Sequence, residues 1–68
     1  MKYKAEGNKI IDADEYDRYT VAECNEPEKA IKLFERAHYL NDVKHKYTAS
    51  ARLFAEAEAL PGFKWIEA

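Results

Sequence analysis

The feature that most constrains this chain is a change of hydrophobic period at Pro27. Before it, apolar and polar residues alternate, as in strands with one buried face. After it, apolar residues return every third and fourth position, as in helices with one buried stripe. The order reads strand, strand, strand, helix, helix. It predicts an α+β fold in which a three-stranded antiparallel sheet (β-β-β) is followed by two helices packed on one of its faces.

Lys2 to Glu6 and Lys9 to Ala13 flank Gly7-Asn8, and a two-residue turn of that type makes a hairpin. The turn sets the register, with Glu6 opposite Lys9 and Ala5 opposite Ile10. Asp14-Glu15-Tyr16-Asp17 makes the next turn, and Arg18 to Cys24 the third strand, with Ala13 opposite Arg18. By the period-2 rule, Tyr3, Ala5, Ile10, Tyr19 and Val21 then face the core. Lys4, Glu6, Ile11, Thr20 and Ala22 face outward.

Asn25-Glu26-Pro27-Glu28 reads as a helix start, with Asn25 as the cap, Pro27 in the first turn and Glu28 in a capping-box position. Ala30, Ile31, Phe34 and Ala37, continued by Leu40 or Tyr39, form the apolar stripe, and Asn41-Asp42 interrupts it. A second helix runs from about Val43 to Leu60, with Tyr47, Ala51, Phe54, Ala57 and Leu60 on its buried side. Pro61-Gly62 ends it. Phe63-Lys64-Trp65-Ile66 has strand-like composition, with room for a short C-terminal strand. Tyr3, Ile10, Tyr19, Val21, Phe34, Phe54 and Leu60 are the expected shared core.

At 68 residues the chain has length for one domain, residues 1–68, with a thin core. A hydrophobic content of 47% is enough for folding. Cys24 is the sole cysteine, so an internal disulfide is excluded. Met1-Lys2-Tyr3-Lys4 lacks the apolar run of a signal peptide, and no stretch approaches the length of a membrane span. A reducing cytoplasm, with no membrane partner, is the expected setting.

The motifs of common chemistries are incomplete. Asp12, Asp14 and Tyr16, with Glu23, follow part of the spacing of a calcium loop. Position 6 of that loop needs glycine and holds Asp17, and strands stand where helices belong. Cys24, His38 and His45 are isolated, without the paired spacing of a zinc site. A nucleophile built on Cys24 with either histidine would need a concave pocket, for which a chain this short has little volume. The expectation is no metal, no cofactor and no enzyme.

Charge divides the chain. Net charge is -2, but residues 1–28 carry four basic and eight acidic side chains, and residues 29–68 carry seven and five. Lys29, Lys32, Arg36, Lys44, His45, Lys46 and Arg52 could form a basic helical stripe. Tyr39 and Tyr47 between them would suit a single-stranded nucleic acid. Glu35 and Asp42 interrupt the stripe, and the helical phase assigns Tyr47 to the core, so nucleic acid is disfavoured. The acidic turn Asp14, Glu15, Tyr16 and Asp17 is the expected partner-binding site. Its carboxylates would steer a protein with a basic surface and Tyr16 would anchor it. The uneven charge also leaves homo-oligomer formation, as a self-assembling module, open.

Glu6-Gly7-Asn8-Lys9-Ile10-Ile11-Asp12-Ala13-Asp14, followed by Val21-Ala22-Glu23-Cys24 and an acid-capped helix, resembles the front end of small accessory proteins of tailed bacteriophages. Ala51-Arg52-Leu53-Phe54-Ala55-Glu56-Ala57-Glu58-Ala59-Leu60 is similar to the Ala-rich helix that closes many of them. Those proteins commonly carry a proline within that stretch, whereas Pro61 follows it here. The resemblance carries over no catalytic residue. It implies a phage or prophage product in the host bacterial cytoplasm that binds and inhibits a host protein, as anti-CRISPR proteins do.

Overall fold

Gly7 makes the first turn at φ +60°, a conformation that costs glycine nothing. Asn8 keeps a negative φ, so the turn has the glycine-first φ pattern of type II′, whose twist suits a hairpin. In the computed structural model, residues 2–14 and 18–66 are described. They comprise β1 (Tyr3–Glu6), β2 (Lys9–Ala13), β3 (Arg18–Glu23), α1 (Pro27–Asp42), α2 (Tyr47–Glu58) and β4 (Lys64–Trp65). The sheet is antiparallel in the order β1-β2-β3-β4, with the short C-terminal strand on the outside of β3. The fold is α+β, as the change of period predicts.

The predicted registers hold at Glu6–Lys9, Ala5–Ile10 and Ala13–Arg18. A β-bulge then intervenes: Ile11 pairs with Thr20 and Ile10 with Ala22, leaving Val21 as the extra residue. This corrects the expected faces. Ala22 lies fully buried beside Ile10, and Val21 is half-buried against the same core. Tyr19 is also corrected. Its end of β3 lies outside the cover of α1, which packs on β1 and β2, and it is 53% exposed.

On the outer face, Glu6 on β1 and Arg18 on β3 form an ion pair at 2.6 Å. Glu6 sits beside Lys9 and Arg18 beside Ala13, so the pair arches diagonally over Ile11, the residue between them on that face. This accounts for an outward isoleucine that is only 9% exposed.

Pro27 opens α1, but the expected Asn25 cap is absent. Glu26 is the N-cap residue and no side chain caps the helix. Asn25 instead donates its backbone N–H to Pro61 O at 2.9 Å. Cys24, expected as the last residue of the third strand, lies just beyond β3 and is fully buried. Its Sγ accepts from Glu26 N–H at 3.3 Å and donates to Pro61 O at 3.6 Å. The β3–α1 junction and the α2–β4 turn are thereby held together.

Phe34 sits at the centre of the core formed by Ile10, Ala22, Cys24, Ala30 and Ala57. Its ring lies 5.3 Å from both Tyr3 and Trp65, 5.8 Å from Phe54 and 6.0 Å from Phe63. The helices approach over small residues, and buried Ser50 Oγ donates to Ala37 O at 2.8 Å. α1 continues through Asn41-Asp42, and α2 starts at Tyr47 rather than near Val43.

Candidate functional site

Of the expected acidic site, Asp14 is exposed just after β2. Glu15, Tyr16 and Asp17 lie outside the described residues.

β1, β2 and β3 bring Tyr3, Asp12 and Tyr19 into one row on the inner face. Asp12 is 5% exposed, and its Oδ2 accepts from Tyr19 OH at 3.3 Å. Its Oδ1 has no hydrogen-bond partner among the described residues. Tyr3 OH lies 2.8 Å from His38 Nε2, with the two rings stacked. Burial, helped by the charge of Asp12, pushes the Tyr3 phenol up to about 12. It therefore stays protonated at neutral pH and can donate to the imidazole. Through the Tyr3–His38 contact the row braces α1 against the sheet.

Cys24, His38 and His45 are each engaged apart from one another, at Pro61, Tyr3 and Tyr47. Among the described residues, no group of three His, Cys, Asp or Glu side chains could hold a metal ion. Concave volume does exist, contrary to the expectation from length. A cleft of about 450 Å³ is lined by Ala5, Gly7 and residues Asn25 to Lys29. Its Glu26 and Lys29 side chains pair with each other at 3.2 Å. A second cleft of about 290 Å³ lies between the helices, at Lys29, Lys32, Leu33, Glu56 and Leu60.

The most distinctive surface is the corner between α1 and α2. Because α2 begins at Tyr47, no preceding turn covers that residue. Contrary to its expected place in the core, it is 62% exposed. Tyr39 and Val43 are also exposed, so three large apolar side chains meet water within one short stretch. Lys44 Nζ stands 6.0 Å from the Tyr39 ring centre, in cation–π range. Tyr47 OH lies 3.3 Å from His45 Nδ1. The backbone is held in place: Lys44 N–H donates to Tyr39 O at 3.3 Å and Lys46 N–H to Leu40 O at 2.8 Å.

His45 closes this turn at φ +55°, a left-handed conformation that costs a non-glycine residue about 1 to 2 kcal/mol. Strain of this kind collects at functional positions. The sequence signal at the corner was the polar run Lys44-His45-Lys46, which directly precedes Tyr47, the first residue of α2. No helix among the described residues is long and apolar enough to cross a membrane. Compared with known proteins, the chain matches no family model, no curated sequence and no solved structure.

Proposed function

We propose that this protein is a non-enzymatic binding domain whose target is another protein, held at the α1–α2 corner. The observation that carries the reading is the joint exposure of Tyr39, Val43 and Tyr47 on a backbone fixed by its own hydrogen bonds. Tyrosines presented on a rigid support provide large contact area at little entropic cost, and tyrosine is enriched among the residues that dominate binding. The phage setting, the inhibited host protein and the bacterial cytoplasm belong to this proposal on the sequence resemblance alone. The partner with a basic surface rested on the acidic turn, and the corner now takes the place of that turn as contact surface.

Affinity capture with the full chain, followed by titration of the partner it identifies, tests the reading. Tyr39→Ser combined with Tyr47→Ser should melt like the parent, because both side chains are exposed. It should bind the partner at least tenfold more weakly, about 1.4 kcal/mol. Undiminished affinity in the folded variant would remove the corner as the contact surface. Exposure of Tyr47 beside Lys46 also favours a second reading, in which single-stranded nucleic acid stacks on the corner. Anisotropy with a labelled oligonucleotide at low salt separates the two.

A further inference from the structure

The outer face of α1 continues the corner back from Val43 as far as Lys32. Lys32, Arg36, Tyr39 and Val43 follow one another at spacings of four, three and four, which sets them on one line. At 1.5 Å per residue the line is about 16 Å long. Lys32, Arg36, Tyr39 and Val43 are all exposed. Charge is divided along its two flanks. Lys29 and Lys32 border the cleft shared with Glu56 of α2 and with Leu60, so the basic flank faces α2, with the Glu56 carboxylate across the cleft from it. By the same helical geometry, Glu28, Glu35 and Asp42 lie on the other flank. Lys44 and Lys46 follow in the turn beyond α1, with Lys44 over the Tyr39 ring.

We infer that the partner segment seated here is an acidic stretch of protein with interspersed apolar residues, lying along α1 on the side toward α2. This rests on the corner being the docking surface and adds the chemistry of what docks. Tyr39, Val43 and Tyr47 supply the apolar contact. Lys32, Arg36, Lys44 and Lys46 meet carboxylates, and Glu28, Glu35 and Asp42 repel them from the far flank. The charge arrangement therefore sets the side of approach as well as the sign of the partner.

The test uses the full chain and two labelled synthetic peptides, one of leucine and glutamate and a twin with glutamine for every glutamate. The glutamate peptide should bind at least tenfold more tightly than its twin, and added salt should weaken it. Lys32→Glu with Arg36→Glu should weaken binding at least tenfold. Lys4→Glu with Lys9→Glu, exposed on the outer sheet face, changes net charge equally and should leave binding within twofold. Glu35→Lys should strengthen it severalfold. Thermal melts establish that each variant is folded. Equal binding of the twins, binding of neither, equal loss in the two double variants, or tighter binding of oligo-dT would each overturn the inference. If Tyr39→Ser with Tyr47→Ser abolishes binding of the identified partner while the charge variants do nothing, the corner stands as docking surface and the acidic partner falls.

Discussion

Phe34 touches the rings of Tyr3, Phe54, Phe63 and Trp65, so its removal takes the common neighbour from strands and helices together. Phe34→Ala should cost about 3 to 5 kcal/mol, close to the whole stability of a small domain. Denaturant unfolding would read it, and a loss below about 1 kcal/mol would show that the ring cluster closes over the gap. Tyr3 makes a different prediction. Below pH 10 both the folded and unfolded chains keep its phenol proton. Between 10 and about 12 the unfolded chain releases it while the folded chain holds it, so stability falls as pH rises through that window. Tyr3→Phe should flatten that part of the stability–pH curve, and an unchanged slope would refute the assignment.

At the scale of elements, the two observed left-handed glycines can be ranked. A Cβ on Gly7 would meet nothing within 4 Å, whereas one on Gly62 would fall 2.6 Å from Asn25 Oδ1. Both substitutions carry the strain of positive φ, but only Gly62→Ala must also displace a neighbour, the exposed Asn25 side-chain amide. It should cost more than about 1 kcal/mol, and more than Gly7→Ala, in paired melts. The first hairpin was legible in the sequence because a two-residue turn leaves one register available. The bulge was not, because Val21 and Ala22 are adjacent apolar residues and either satisfies an inward position. The start of α2 was misread because the spacing of Tyr47, Ala51 and Phe54 is helical wherever the helix begins. The corner was therefore legible as charge and hidden as exposed aromatic surface. The buried Ser50 left no periodic signal, since its role is one hydrogen bond to the Ala37 carbonyl across the helix pair.

For the whole molecule, a Cα radius of gyration of 11.6 Å is close to the ~11 Å of a compact chain this long. The helical layer between β3 and β4 is an excursion that leaves the sheet at Cys24 and returns at Phe63, with the junctions tied through Pro61. That return has a kinetic consequence. The contacts among β1, β2 and β3 are hairpins, local in sequence and quick to form. Ala22 and Trp65 are neighbours across the sheet yet distant along the chain, so their pairing must close a long loop. The last strand should thus dock after the rate-limiting barrier. Trp65, the sole tryptophan and stacked on Phe34, is its natural fluorescent reporter. Phe63→Leu should hasten unfolding and leave the folding rate nearly unchanged. A slowed folding limb in stopped-flow fluorescence would instead place the returning strand within the nucleus.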